Sequence, residues 1–211
     1  MNTYPILVTA IGLFSAAGAA VLWHKNTQKK LQQKALKGDP KAQYALGMSY
    51  YKGKHLPQSD TQSFHWFSKA AAQGYVPALN ALAGLYNAGR GCEKDPQQAF
   101  SYYTKAAETG DFEGRINLAV CHLQGIGTTK DEQKGLSILE KAAHDKSPLA
   151  QTLLGHLYEK GTGSIAPSQQ QALHYYLLAA QQGEPIAKKR IAQIQQGILR
   201  QYRSAQNGGE K

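Results

Sequence analysis

From Gly38 onward, small and apolar residues recur at helical spacing, and the pattern is written four times. The stretch GDPKAQYALGMSYYKG, Gly38 to Gly53, returns 36 residues later as GYVPALNALAGLYNAG, Gly74 to Gly89, and again from Gly110 and from Lys146. Ala42, Ala78, Gly114 and Ala150 share one small column. Leu46, Leu82, Leu118 and Leu154 lie four residues on, followed by Tyr50, Tyr86, His122 and Tyr158. Spacing of i, i+4, i+8 puts these columns on one face of a helix. Gly53, Gly89, Gly125 and Gly161 close it, at the place where a left-handed residue ends a helix.

A second helix follows in each repeat. Ser59, Asp95, Asp131 and Ser168 are natural N-caps, with Gln62, Gln98 and Gln171 placed as capping-box partners; Lys134 breaks the box in the third repeat. The apolar face reads Phe64, Trp66, Phe67, Ala70, Ala71, then Phe100, Tyr102, Tyr103, Ala106, Ala107, and in the fourth repeat Leu173, Tyr175, Tyr176, Ala179, Ala180. Gly74, Gly110 and Gly183 end these helices, and Lys146 stands in the same column. One such helix pair cannot bury its apolar face alone, so the repeats are expected to stack. After Gly183, Ile191, Ile194 and Ile198 share one face of a helix whose other side is basic, which predicts a cap.

The expected fold is all-α: a right-handed α-solenoid of four helix-pair repeats, a C-terminal capping helix and one N-terminal transmembrane helix. The boundaries are 1–23 for the anchor, 24–37 for a juxtamembrane helix covering the first repeat, and 38–73, 74–109, 110–145 and 146–182 for the repeats. The cap is 183–203 and the tail 204–211 is expected to be disordered.

The anchor rests on Pro5 to Trp23, a 19-residue run without a charge. As a helix it would be about 28 Å long, close to the hydrocarbon thickness of a bilayer. A cleavable signal peptide is the rival reading, with Ala17-Gly18-Ala19 as small residues for cleavage, but residues 1–5 carry no Lys or Arg, and an uncleaved anchor is preferred. Lys25, Lys29, Lys30 and Lys34 follow the span, with Lys37 and Lys41 beyond. By the positive-inside rule the repeats then lie in the cytoplasm, with the first four lysines against the anionic membrane surface. An exported, periplasmic body is the alternative. Gly12, Ala16 and Ala20 give small-xxx-small spacing, a weak pointer to a homodimer.

Charge narrows the partner class. The net charge is +10, but residues 1–41 hold +5, residues 183–211 hold +4 and the repeats between only +1. A nucleic-acid binder carries a basic stripe across its folded surface, so no nucleic acid is expected. Two cysteines, Cys92 and Cys121, do not make a disulfide framework and are expected to be unpaired.

The segment ALNALAGLYNAGRGCEKDPQQAFSYYTKAAETG, Ala78 to Gly110, closely resembles the repeat of the Sel-one-like family, a relative of the tetratricopeptide repeats, whose pattern is AxxxLGxxYxxGxGxxxDxxxAxxYYxxAAxxG. The resemblance covers roughly Gly38 to Ile194. It implies a scaffold, since such proteins mostly act as adaptors in signalling, secretion or envelope assembly. Three departures are local: Lys54-His55 replaces the second Gly in repeat one, Gly114, Gly135 and His122 replace usual Ala and Tyr residues in repeat three, and repeat four has an extra residue between Gly161 and Ser168. Repeat three is therefore expected to be the least stable layer.

Chemistry is sparse. Ser49-Tyr50-Tyr51-Lys52 matches the SxxK of β-lactam-recognising enzymes, but no KTG or SDN accompanies it, and Ser49 shares a packing column with Leu85, Cys121 and Leu157. No paired Cys/His spacing suggests a metal, and no cofactor is expected. What remains is the face of the first helices opposite the repeated stripe, expected to line a concave groove. It holds Tyr44, Met48 and Tyr51; Asn80, Gly84 and Asn87; Ile116, Val120 and Leu123; and Thr152, His156 and Glu159. Tyr and Met are adaptable contact residues. The resulting expectation is a membrane-anchored, non-enzymatic adaptor that binds another protein or peptide segment in this groove. The alternatives are a β-lactam-interacting or other hydrolase-like enzyme, or a structural subunit of an envelope complex.

Overall fold

The computed structural model describes residues 27–208, with side chains described as far as residue 200. The charge-free span 5–23 and Lys25 lie outside the described residues. Among the described residues every regular element is a helix, and none is long and apolar enough to cross a membrane. The chain divides into two compact units, Met1–Asp95 and Pro96–Lys211, and in each the helices pack on their sequence neighbours as a stretch of α-solenoid.

The first unit contains α1 (27–36), α2 (Pro40–Lys52), α3 (Asp60–Ala71) and α4 (Val76–Ala88). Ala35, Ala42, Leu46 and Trp66 form its core, with Leu31, Tyr50 and Leu56 packed against it. Gly47 is where Phe67 enters: a Cβ there would lie 2.6 Å from the ring. The buried Ser63 donates its hydroxyl hydrogen bond to the Gly47 carbonyl, 3.1 Å away, fastening α3 to α2.

The second unit contains α5 (Pro96–Glu108), α6 (Phe112–Gln124), α7 (Glu132–His144), α8 (Pro148–Lys160), α9 (Gln169–Gln181) and α10 (Pro185–Gly208). One cluster joins α6, α7 and α8 through Ile116, Ala119, Leu139, Ala142, Ala150 and Leu154. A second joins α9 to α10 through Ala172, Tyr176, Ala179 and Ala187, with Ile191 and Ile194 packed on it. Ile198 is not part of this contact and is 50% exposed, so the covering face ends one turn earlier than its spacing suggested. The helix itself runs to Gly208, past the expected end at 203.

The caps form as the sequence indicates, with one correction. Ser59, Asp131 and Ser168 accept from the backbone N–H of Gln62, Lys134 and Gln171. The reciprocal half of a capping box is replaced by a longer-range bond. The N–H groups of Ser59, Asp95, Asp131 and Ser168 donate to the carbonyls of Tyr50, Tyr86, His122 and Tyr158. The end of each first helix thus satisfies the start of the second, and Lys134 breaks nothing. Gly53, Gly89 and Gly125 end their helices in the left-handed conformation as expected, whereas Gly161 has positive φ but an extended ψ of 168°. Where glycine is missing, His55 and Lys146 take φ of +68° and +64°.

Successive repeats are tied by the first residue of each second helix. A Cβ on Gly91 would lie 2.2 Å from the Asp60 carbonyl oxygen, and one on Gly127 2.0 Å from that of Pro96. Only glycine lets these loops lie on the preceding helix N-terminus. In the fourth repeat the loop is held by a side chain instead: the Glu132 carboxylate accepts from Thr162 Oγ1 at 3.0 Å and Ser164 N–H at 2.7 Å. That carboxylate, also paired with Lys130 at 2.6 Å, is held at a pKa of about 2 by these hydrogen bonds, Lys130 first.

The glycines of repeat three serve close packing. A Cβ on Gly114 would meet the Ala106 backbone at 2.7 Å, and one on Gly135 would meet Leu123 at 2.6 Å. His122 is buried edge-on to Phe100 at 5.4 Å, and its Nδ1 has no hydrogen-bond partner. Burial, then the charge of Lys134, lowers its pKa below the usual imidazole value.

Candidate protein-binding face

Each residue expected in the groove belongs to a first helix, and the structure sorts them by column. Asn80, Ile116 and Thr152 are only 6, 6 and 8% exposed. All three are almost fully covered where an open lining was expected, and Ile116 packs into the α6–α8 core. Thr152 also turns its hydroxyl back to the Pro148 carbonyl at 2.9 Å.

In the first unit, the half-buried Tyr44 sits 5.5 Å from both Phe67 and Tyr75, centroid to centroid. Tyr51 lies 4.2 Å beneath the guanidinium of Arg90, which is itself paired with Asp60 at 2.6 and 3.1 Å. These aromatics are committed to neighbouring elements. Met48, Gly84 and Asn87 are half-buried on the same helices. In the second unit Val120 is half-buried, and Leu123 packs against the α6–α8 core and Gly135. Lys29, Lys30 and Lys34 are exposed on α1.

Three of the expected residues come together at one place. Ile116 from α6 and Thr152 and His156 from α8 line a pocket of about 260 Å³, completed by Leu153, Tyr176 from α9, and residues of α10. Its mouth is framed by Leu149 and Ile186, which are 50 and 58% exposed. Arg190 closes one end, and Glu159 anchors it from outside. The Glu159 carboxylate accepts from the Tyr176 hydroxyl at 2.7 Å and faces Arg190 Nη2 at 3.5 Å. Burial, and then this bond to Glu159, raises the Tyr176 pKa, so the phenol stays a neutral donor.

Leu149, Tyr176, Ile186 and Arg190 were not among the candidates. A signal existed for the rim pair: Leu149 and Ile186 occupy the column in which Lys41 and Glu113 are charged. Arg190 carries no such signal, because its column holds Ala45, Ala81, Asn117 and Leu153.

A larger cleft of about 730 Å³ lies on the second-helix side, bounded by α7 and α9. Its charged rim has a structural task. Arg115 pairs with Asp145 at 2.6 Å, the same columns in which Gln73 bonds to Gln43 and Gln182 to Gln151, each at 2.8 Å. Gln43 and Gln151 also donate to the carbonyls of Ala35 and Ala143 at 3.1 and 3.0 Å, tying each first helix to the preceding pair.

Nucleophiles are quiet. Ser49 donates to the Ala45 carbonyl at 3.0 Å, an ordinary turn-back within a helix. Cys92 and Cys121 are free, and burial pushes the Cys121 thiol up to about 11.

The model of the Sel1 repeat matches residues 40–75, 76–111, 113–146 and 148–184. The chain belongs to the Sel1-repeat family. Among solved structures it is similar to a Sel1-repeat protein from Oxalobacter formigenes, at 33% identity and a TM-score of 0.66, over 74% of this chain and 45% of that one. It is also similar to c5321, a protective antigen of uropathogenic Escherichia coli with the same type of repeat fold, at 30% identity and a TM-score of 0.63, over 79% of this chain and 35% of that one. The chain thus spans under half the length of either. No curated protein matches it. Within the family, the Gly91 and Gly127 contacts give the second glycine of the repeat its reason.

Proposed function

We propose that this Sel1-repeat protein is a membrane-anchored adaptor whose first helices hold a segment of another protein. Sel1-repeat proteins generally mediate protein–protein interaction. The observation that carries the reading is the apolar pocket flanked by exposed Leu149 and Ile186, since large exposed apolar residues beside a depression are what binding sites leave on a surface. The residues that face the partner are then His156, Glu159 and the pocket rim, with Val120 alongside; Tyr44 and Tyr51 shape the first unit from within.

The anchor is the span 5–23, supported by its length and by the exposed lysines of α1 that follow it, and the repeats are placed on the cytoplasmic side. A reporter joined after Lys211 and active on one side of the membrane tests that placement; an external signal would move the search to envelope partners.

The binding role is tested by partner capture. A variant with Leu149→Glu and Ile186→Glu changes only exposed side chains and should remain folded. It is expected to lose partners that the parent retains. Retention of every partner by the folded variant would refute the role.

A further inference from the structure

The pocket on α6, α8 and α10 has a size, a lining and a charge that together define an occupant. Its volume of about 260 Å³ exceeds the roughly 150 Å³ apolar cavity that holds a benzene ring, yet falls below the roughly 300–1,000 Å³ of small-molecule sites. It therefore suits one bulky apolar side chain better than a whole metabolite. Ile116, Leu153 and the Tyr176 ring supply apolar walls.

The α10 stretch beside the pocket is basic. Lys188, Lys189 and Arg190 follow one another on α10, and both lysines are exposed. Glu159 and Glu184 are the nearby acids. Glu159 already accepts from Tyr176 and faces Arg190, and Glu184 accepts from the N–H of Ile186. Arg190 has five N–H groups; one bonds Gln193 Oε1 at 3.0 Å, and the guanidinium also faces Glu159 at 3.5 Å and the Tyr176 hydroxyl, so an incoming carboxylate would share it with these partners.

Resting on the reading of this face as a protein-binding surface, we propose that its occupant is an acidic peptide segment that inserts one bulky apolar side chain into the pocket and sets a neighbouring carboxylate on Arg190. The apolar side chain supplies contact area between Leu149 and Ile186. The carboxylate fixes the direction of the chain, since arginine receives a carboxylate through two parallel N–H groups.

The test selects binders to the full-length protein from a random dodecapeptide library, then measures synthetic acidic, neutral and basic versions of the best sequence by fluorescence anisotropy. Selected peptides should carry Leu, Ile, Met or Phe beside Asp or Glu. Leu149→Lys or Ile186→Lys should weaken them about tenfold. Arg190→Gln should weaken the acidic version by a similar factor and leave the neutral version unchanged, and added salt should narrow that gap. Far-UV circular dichroism verifies that each variant is folded. Peptides that bind but ignore all three substitutions, or that are neutral or basic, overturn the occupant while leaving a protein-binding role in place. No enrichment of any peptide overturns that role as well. Self-association abolished by Leu149→Lys, without peptide binding, assigns the pocket to a second copy and also overturns the proposal.

Discussion

Gly127→Ala isolates the contact that joins successive repeats, provided it is measured beside Gly110→Ala. Both glycines have positive φ, +66° and +84°, so alanine at either meets the left-handed penalty of about 1–2 kcal/mol. They differ in surroundings. Nothing lies within 4 Å of a Cβ on Gly110, whereas a Cβ on Gly127 falls 2.0 Å from the Pro96 carbonyl oxygen and 2.5 Å from its carbon. Both atoms are backbone, at the first turn of α5, so no side chain can rotate away and the loop must lift. Overpacking of this kind adds about 1–3 kcal/mol. The expected losses are therefore about 1–2 kcal/mol for Gly110→Ala and about 2–5 kcal/mol for Gly127→Ala. In a chain of this size each kcal/mol moves Tm by about 2–4 °C, so calorimetry should resolve the gap. Equal Tm shifts for the two variants would refute the claim that the second glycine serves inter-repeat contact.

The reverse change should help at Lys146, an exposed residue with φ of +64°: Lys146→Gly is expected to raise stability by about 0.5–1 kcal/mol, read as a higher urea midpoint, and an unchanged or lower midpoint would count against the strain. Glu132 predicts an acid dependence. Its folded pKa is depressed from 4.5 to about 2, so its stabilising effect is complete above the unfolded value and is lost as pH falls from about 4.5 to about 2. Glu132→Gln should flatten the stability–pH curve in that window and leave the rest of its shape alone. Cys121, with its thiol raised to about 11, should resist iodoacetamide at pH 8 in the folded protein and react once urea is added; rapid native labelling would contradict its burial.

The repeats, their caps and their ends were legible because those signals are local: a leucine column, a Ser or Asp before a helix, a glycine after it. Lys146 and His55 show how strong that logic is, since both adopt the glycine conformation without being glycine. What a single helical pattern could not give is which face remains open after stacking. Leu123 looks like a groove residue on an isolated helix, but it packs against the α6–α8 core and Gly135. Tyr51 is likewise covered by Arg90, 39 residues along the chain. The capping boxes were misread for a related reason. Gln62 and Gln171 have the right spacing, yet the carbonyls of Tyr50 and Tyr158 reach the same N–H groups from the preceding helix. Arg190 and Tyr176 entered the site only through the packing of α9 and α10, which no repeat column records.

The central claim, that a partner sits on the first-helix face of α6, α8 and α10, is tested most directly by photo-crosslinking in cells. A photoreactive phenylalanine derivative replaces His156, which is exposed at the pocket, or His174, which is exposed at the cleft on the second-helix side. The account predicts discrete protein adducts from position 156 and none from position 174. Adducts from 174 alone, or the same adducts from both, would contradict it.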